Sequence, residues 1–281
     1  MYSPSDCGTG TINYNIHRAL SLDKKRESDA TMTGHIITSK VESAFCIQLH
    51  RPEKKNALTA EMYTAIAEGI RTADADDSIS AIVLHGLEGC FTSGNDLAGF
   101  RDGPSPNRIY PHNIYIDALR HARKPVIAAV DGFCLGIGTI MLFHCDFVYA
   151  GPKTRFSLPF LNLGLSPEGG TSYILPHLIG YQKAAEIILL GEPFGAELAE
   201  RIGLVNGIVA APDLMDRALE VAGKLATKDA DAVRAAKALL KRGMDDAVNT
   251  ALARELDLFN ERMATPEVRE TIAGFFKKKS I

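Results

Sequence analysis

Two glycine-containing turns have the backbone freedom and the position along the chain that an anion site needs. The first, CFTSGNDL at residues 90–97, follows an apolar run that ends near Leu84. The second, DGFCLGIG at residues 131–138, follows an apolar run that ends at Val130. Such turns between a strand and a helix expose backbone N–H groups, which can bind an anion or a developing oxyanion. Taken singly, each turn also fits an ordinary tight turn in which glycine serves only the backbone.

One carboxylate, that of Glu168, lies in the segment LGLSPEGGT of residues 163–171. A glutamate can act as a general base when the proton it removes lies within hydrogen-bond reach. It can equally be an acidic residue in the first turn of a helix, where the helix dipole favours it. Three nearby aspartates favour structural interpretations instead. Asp96 is predicted to cap a helix, Asp131 to set a turn and Asp146 to make a structural hydrogen bond.

The chain lacks several other catalytic patterns. Neither glycine turn carries the Lys-Ser or Lys-Thr of a phosphate-binding loop, and neither has the form of a GxSxG nucleophile turn. The five cysteines and eight histidines are scattered without zinc-ligand spacing. We therefore expect reduced thiols and no metal site.

Strand and helix patterns alternate around the two turns and predict how they are positioned. Thr59 is predicted to be the N-cap of an amphipathic helix, and residues 136–144 form a predicted buried helix. This alternation favours an α/β layered core. The predicted buried strands lie at residues 44–49, 81–84, 126–130 and 147–150.

Composition and charge exclude several classes of protein. The 281 residues are 46% hydrophobic and 23% charged, which is ordinary for a soluble globular protein. Lysine and arginine number 31 against 34 acidic residues, a net charge of −3 that leaves no basic footprint for nucleic acid. The longest apolar stretch, residues 133–143, is too short to span a bilayer. The first residues do not resemble a secretory signal, and we expect a cytoplasmic protein without nucleic-acid or membrane partners.

The pattern predicts three parts along the chain. Residues 1–34 are polar and aperiodic, and they are expected to be a flexible extension. Residues 35–212 are expected to form the α/β core. Residues 213–281 carry almost purely helical periodicity and are expected to form a separate helical region.

Taken together, the motifs resemble the crotonase superfamily of enoyl-CoA hydratases and isomerases, from about residue 36 to the C-terminus. The segment HRPEKKNAL at residues 50–58 is similar to the family's N-terminal signature. The two glycine turns resemble its two oxyanion segments. Cys145-Asp146 and the glycines from Gly164 to Gly170 continue the similarity in order.

The resemblance implies a fold, a substrate and an assembly. The fold would be of the α/β class, a spiral core of repeated ββα units with a C-terminal helical region. The substrate would be an acyl-CoA thioester, with no separate cofactor, and its carbonyl oxygen would be held by the N–H groups of Asn95 and Ile137. The chain would form a homotrimer or a dimer of trimers, with residues 213–281 as the trimerisation region. The remaining substrate-binding positions would be Lys54, Ser93, Gly94, Asp96, Leu97, Gly136, Ile140, Phe160 and Lys277.

The basic C-terminus has two interpretations. By the same resemblance, Lys277 and the two lysines after it would reach the coenzyme A bound by a neighbouring subunit. A terminal lysine run is also typical of a solvated tail.

The resemblance also indicates which reaction of the family the chain is expected to catalyse, because hydratases and isomerases carry their glutamates at different positions. Its hydratases use two glutamates to activate water, and the corresponding positions here are Ile140 and Phe160, which cannot transfer a proton. The segment around Glu168 is instead similar to the peroxisomal-type Δ3,Δ2-enoyl-CoA isomerases, in which a glutamate there is the base. We therefore expect an isomerase. Hydration, thioester hydrolysis and non-catalytic acyl-CoA binding remain the alternatives.

Overall fold

Two β-sheets form the centre of the protein, whose computed structural model describes residues 30–100 and 111–277. The larger sheet contains, in spatial order, β1 (Thr31–Thr33), β2 (Ile36–Val41), β3 (Ala44–Leu49), β4 (Ala81–His85), β6 (Val126–Val130), β8 (Phe147–Ala150) and β11 (Gly207–Ile208). The smaller sheet contains β10 (Phe194–Gly195), β9 (Arg155–Ser157), β7 (Phe133–Leu135) and β5 (Cys90–Thr92).

Ten helices accompany the sheets in the described part of the chain. They are α1 (Ala60–Ala75), α2 (Pro111–His121), α3 (Ile137–Leu142), α4 (Thr171–Ile179), α5 (Tyr181–Leu190), α6 (Ala196–Arg201), α7 (Leu214–Ala226), α8 (Ala230–Arg242), α9 (Asp245–Ala264) and α10 (Pro266–Lys277). As predicted, Thr59 is the N-cap of α1, because its hydroxyl accepts a hydrogen bond from the Met62 N–H.

The strands follow a repeated connection. In each of the pairs β4–β5, β6–β7 and β8–β9, the first strand joins the larger sheet and the second joins the smaller one. Helices α2 and α3 follow the first two pairs, which makes them ββα units. The strands β3, β4, β6 and β8 are parallel to their neighbours in this series. The predicted α/β fold class, with a core of repeated ββα units and helices at the C-terminus, is therefore confirmed.

Both faces of the larger sheet are covered by apolar side chains. Along β4, Ile82 and Leu84 face the cluster that includes α1 and α3, whereas Ala81 and Val83 face α7. Burial on both faces explains why these strands read as continuous apolar runs rather than as alternating ones.

The structure places two segments differently from the predicted three parts. Thr31–Thr33, within the predicted extension, pairs with β2 as an edge strand, while residues 1–29 lie outside the described residues. Helix α7, within the predicted helical region, packs Leu214, Ala218 and Val221 against the larger sheet. The reason is that the second face of this sheet needs an apolar cover.

The last two helices pack beside the segment that carries Glu168. Phe259 and Met263 of α9 form a small apolar cluster with Val268 of α10 and with Leu165. This cluster holds α9 against residues 163–171. No helix in the described ranges is both long and apolar enough to cross a membrane.

Candidate functional site

The two glycine turns meet at one edge of the smaller sheet. Strands β5 and β7 are parallel neighbours, with Cys90 opposite Phe133, so both turns follow the carboxyl ends of adjacent strands. A Cβ atom on Gly94 would lie only 3.0 Å from the carbonyl oxygen of Leu135 and 4.0 Å from Cα of Gly136. Gly94 also has a φ of +94°, which side chains disfavour. The backbones of the two segments are therefore in contact.

Backbone N–H groups of both turns are available at this contact. Gly94 O accepts the Leu58 N–H and the Asp96 N–H donates to Leu58 O, so the intervening N–H of Asn95 points to the opposite side. Ile137 is the first residue of α3, and an N–H in a first helical turn has no intrahelical acceptor. Within the part of the chain that the structure describes, neither N–H donates a hydrogen bond. The pair can receive an oxyanion.

A buried asparagine in the segment 50–58 holds that segment against β5. The side-chain amide of Asn56 donates to Leu49 O at 3.1 Å and to Phe91 O at 3.0 Å, and its oxygen accepts the Arg51 N–H at 2.7 Å. The Thr92 hydroxyl donates to Asn56 O at 2.6 Å. The sequence analysis missed this role, because a lone asparagine carries no periodic signal.

Asp96 has the predicted capping role and an additional ion pair. Its carboxylate accepts the Ala98 N–H at 3.0 Å at the start of the short 3₁₀ turn Leu97–Phe100. Arg51, which the sequence analysis did not single out, contacts it at 2.7 Å. Burial opposes ionisation, but the hydrogen bonds from Arg51 and Ala98 outweigh it and lower the pKa of Asp96. Its carboxylate is thus committed to protein groups.

Lys54 and Ser93 lie on the outer side of this arrangement. Lys54 is exposed at the end of the 3₁₀ turn Pro52–Lys54. Ser93 bonds the backbone there, its N–H donating to Lys55 O at 3.0 Å. The predicted binding positions Lys54, Ser93, Gly94, Asp96 and Leu97 are therefore neighbours.

Lys277 is the last residue of α10, but its side chain, like Lys278 and Lys279, lies outside the described residues.

Glu168 lies on a loop that packs against α3. Its side chain is buried, with 6% of the residue surface exposed. A Cβ atom on the following residue, Gly169, would overlap Cγ2 of Ile140, so the loop backbone touches α3 one turn after Ile137. Ile140 and Phe160 are buried as well. The surroundings of the Glu168 carboxylate on this side are therefore apolar.

Two buried tyrosines lie close to Glu168, and one of them contacts the first glycine turn. The Tyr63 hydroxyl donates to the side-chain oxygen of Asn95, and its ring stacks on Tyr115 with centroids 5.2 Å apart. Burial and then the Glu168 carboxylate raise the pKa of Tyr63. Burial likewise raises the pKa of Tyr115, to which Glu168 contributes less. The sequence analysis missed both, because aromatic residues on an apolar helix face indicate core packing.

A small cavity next to Glu168 brings a second carboxylate into the site. It is lined by Glu168 and Gly169 from the loop, Asn113 from α2, and Leu252, Glu255, Leu256 and Phe259 from α9. Burial is the main cause that raises the pKa of Glu255, and the nearby Glu168 charge adds to it. In the described ranges, no three histidine, cysteine or carboxylate side chains lie together as a metal site.

Comparison with known proteins agrees with this architecture. The model of the enoyl-CoA hydratase/isomerase family matches residues 39–281. The structure of OdaA from Pseudomonas aeruginosa superposes with a TM-score of 0.83 at 37% identity, covering 86% of this chain and 99% of that one. The 2,3-dehydroadipyl-CoA hydratase of Escherichia coli (strain K12) is 31% identical over 87% of this chain and 96% of its own length.

A second relative gives the same result. The short-chain-enoyl-CoA hydratase of Clostridium acetobutylicum is 30% identical over 88% of this chain and 96% of its own length. The family model covers well over half of the 281 residues. The chain therefore belongs to the enoyl-CoA hydratase/isomerase family, the crotonase superfamily of acyl-CoA enzymes.

Proposed function

We propose that this protein is a Δ3,Δ2-enoyl-CoA isomerase, which moves a double bond from position 3 to position 2 of an acyl-CoA thioester. The observation that carries the proposal is the set of side chains around the glycine turns. Ile140 and Phe160, at the positions where the resemblance puts the glutamates of hydratases, are buried apolar residues. Glu168 supplies a carboxylate from the loop that packs against α3.

The proposed reaction needs one base and an oxyanion site. Glu168 removes a proton from C2 of a 3-enoyl-CoA, and the electron pair moves through the thioester onto its carbonyl oxygen. The N–H groups of Asn95 and Ile137 stabilise this dienolate, an effect that is typically worth a few kcal/mol. The protonated Glu168 then returns the proton to C4, and the electrons form the double bond between C2 and C3. Besides the coenzyme A of the substrate, no cofactor takes part.

The bonding of the other nearby carboxylates supports Glu168 as the base. Asp96 is paired with Arg51 at 2.7 Å and also accepts a backbone N–H. Each oxygen of Glu255 accepts a backbone N–H, from Gly170 at 2.6 Å and from Ser172 at 2.7 Å. A carboxylate whose two oxygens both accept protein N–H groups has less lone-pair capacity left to accept a proton from the substrate.

Hydration is the second candidate, because the two curated relatives described above are named hydratases. Addition of water requires one group to deprotonate the water and a proton to be delivered to C2. Without carboxylates at positions 140 and 160, Glu168 would have to perform both tasks. Loss of one general acid–base partner typically costs about 10²–10⁴-fold in rate.

The direct test supplies 3-hexenoyl-CoA and crotonyl-CoA separately and follows double-bond migration and hydration. We expect isomerisation to exceed hydration by about 10²-fold or more, from the cost of a missing acid–base partner. Hydration at a rate comparable with isomerisation would favour the hydratase candidate. Binding of both compounds without turnover of either would favour a non-catalytic acyl-CoA-binding protein.

A further inference from the structure

We propose that Glu255 is a positioning residue for Glu168, which couples helix α9 to the loop that carries the proposed base. The inference rests on the proposed function, because it assigns Glu255 a role in the turnover that Glu168 performs. Glu255 lies 87 positions after Glu168 in the sequence, on helix α9, which is outside the ββα repeats.

The loop needs restraints from outside because of its own sequence. Glu168 is followed by Gly169 and Gly170, whose φ angles are +69° and +82°. Both lie in the left-handed region, which glycine enters at little cost, but glycine also leaves it easily. Two such residues in a row give the Glu168 backbone wide freedom. A base that must reach both C2 and C4 of a substrate requires that freedom to be removed.

Glu255 supplies one restraint by capping the helix that follows. Gly170 is the N-cap of α4 and has no side chain with which to cap it. The two oxygens of Glu255 replace that cap, one accepting the Gly170 N–H at 2.6 Å and the other the Ser172 N–H at 2.7 Å. Hydrogen bonds from backbone N–H groups to a buried carboxylate are short and strong, and a helix N-terminus favours the negative charge.

His144 restrains the same loop from the side of α3. Its Nε2 lies 2.8 Å from the carbonyl oxygen of Gly169. Burial lowers the pKa of His144 to about 3, so the imidazole is neutral at pH 7 and donates this hydrogen bond through Nε2. Thr171 completes the set, since its hydroxyl donates to Glu168 O at 2.6 Å. His144 and Glu255 therefore hold the two sides of one peptide group, that between Gly169 and Gly170, directly after Glu168.

The bonding of Glu255 argues for positioning rather than for direct proton transfer. Both carboxylate oxygens are occupied by backbone donors, and only 6% of the residue is exposed. Glu255 also lines the same cavity as Glu168. Movement of α9 would thus shift the loop, and through it the distance between the Glu168 carboxylate and the substrate. A misplacement of about 1 Å can cost about 10²-fold in rate.

The test is a double-mutant cycle with Glu255→Gln and Glu168→Gln, assayed with 3-hexenoyl-CoA. Gln at 255 keeps the size but replaces one acceptor oxygen with an amide that cannot accept an N–H. We expect kcat to fall about 10–100-fold, as misplacement of a base predicts, while KM stays within about threefold. In the Glu168→Gln background, the same change should alter the residual kcat by less than about threefold.

Lys237→Met is the matched control for damage to the C-terminal helices. Lys237 is buried and anchors α8 through Lys124 O and Asp146, but it does not contact the Glu168 loop. All variants are assayed well below their melting temperatures, with circular dichroism to establish folding. We expect this control to keep the wild-type kcat. If Glu255→Gln does not fold, Glu255→Asp keeps both acceptors at a shorter reach, and we expect a fall in kcat of about tenfold.

The outcomes separate this inference from the proposed function. If Glu168→Gln abolishes turnover while a folded Glu255→Gln keeps kcat within about threefold of wild type, the positioning role is wrong and the base assignment stands. Equal losses from the Glu255 change in both backgrounds would also overturn it. If Glu168→Gln retains the wild-type kcat, the proposed function fails, and the role of Glu255 fails with it.

Discussion

At the scale of single residues, the chemistry depends on which polar atoms surround the Glu168 carboxylate. Asp96 and Glu255 are held by protein donors, and Ile140 and Phe160 contribute only apolar surface. The Tyr63 hydroxyl is used in bonding Asn95. Tyr115 differs from these residues, because its hydroxyl has no hydrogen-bond partner anywhere in the described structure although the residue is fully buried.

The first prediction concerns that hydroxyl. Tyr115→Phe should leave the free energy of unfolding unchanged or raise it by about 1 kcal/mol, because it removes a polar group that is desolvated without compensation. Urea unfolding of the two proteins measures the difference. A loss of more than about 1 kcal/mol would show that the hydroxyl has a stabilising partner.

At the scale of elements, the site is assembled from helix ends and strand ends that are far apart in sequence. The carboxyl ends of β5 and β7 bring the glycine turns together, and α3 starts directly after the second. The turn after α3 holds the Glu168 loop through His144, and helix α9 holds it through Glu255. Polar groups buried at such junctions make stability depend on pH and on single side chains.

His144 gives the second prediction, on pH. Its pKa is about 3 when folded, lowered by burial from the ordinary 6.5. Between these values the unfolded chain binds a proton that the folded chain does not, so the free energy of unfolding rises with pH and is lost as pH falls. From pH 6.5 to 5.0 this loss is about 2 kcal/mol.

The measurement compares urea unfolding at pH 6.5 and pH 5.0 for wild type and His144→Gln. Gln cannot be protonated but can still donate to Gly169 O, so the pH dependence should shrink by about 2 kcal/mol. His85 also contributes to the pH dependence of the free energy of unfolding, because burial lowers its pKa to about 4. This contribution is the same in wild type and variant. An unchanged pH dependence in the variant would contradict the assignment.

The third prediction tests the attachment of α8 to the core. Lys237 Nζ contacts Asp146 at 2.6 Å and donates to Lys124 O at 2.6 Å, and its side chain is 8% exposed. Lys237→Met should lower the free energy of unfolding by about 3 kcal/mol, because Asp146 then keeps only the Val126 N–H at 2.8 Å and Lys241 at 3.9 Å, and Lys124 O loses its donor.

A surface ion pair of the same length is the control. Lys224 contacts Glu220 at 2.6 Å, but both side chains are about half exposed or more. Lys224→Met should therefore cost less than about 1 kcal/mol. Equal losses in the two variants would show that burial does not decide the strength of the Lys237 pair.

At the scale of the whole molecule, the chain leaves large apolar side chains in solvent. Leu239 and Leu240 at the end of α8 are 70% and 79% exposed, and Leu189 and Leu190 of α5 are 60% and 56% exposed. Large apolar side chains exposed in adjacent pairs on two helices are candidates for faces that contact a partner. It supports the expectation of a homotrimer or a dimer of trimers.

Sedimentation supplies the fourth prediction. At micromolar concentration, sedimentation should give a particle mass of about three or six times the chain mass of 30.4 kDa. Leu240→Lys should shift the distribution towards smaller species, since a charge at an apolar interface must be desolvated. A wild-type monomer at these concentrations would contradict the expected assembly.

Elements with a periodic apolar pattern could be predicted from the sequence, whereas single polar residues with distant partners could not. The strands and most helices were predictable, because both faces of the larger sheet are buried and the helices carry apolar stripes. The backbone turns at Gly94 and Gly136 were also recognisable from local motifs. Residues such as Asn56, His144 and Glu255 were not, because their partners lie up to 85 positions away and a single polar side chain has no period.

The most direct test of the central claim is kcat for 3-hexenoyl-CoA isomerisation by Glu168→Gln, with acyl-CoA affinity measured on the same protein. Gln keeps the size of the side chain but cannot accept the C2 proton. If Glu168 is the base, kcat should fall by about 10³-fold or more while the dissociation constant stays near wild type, the pattern of an interaction made in the transition state. A kcat within about tenfold of wild type, only about 1.4 kcal/mol of barrier, would contradict the assignment of Glu168 as the base.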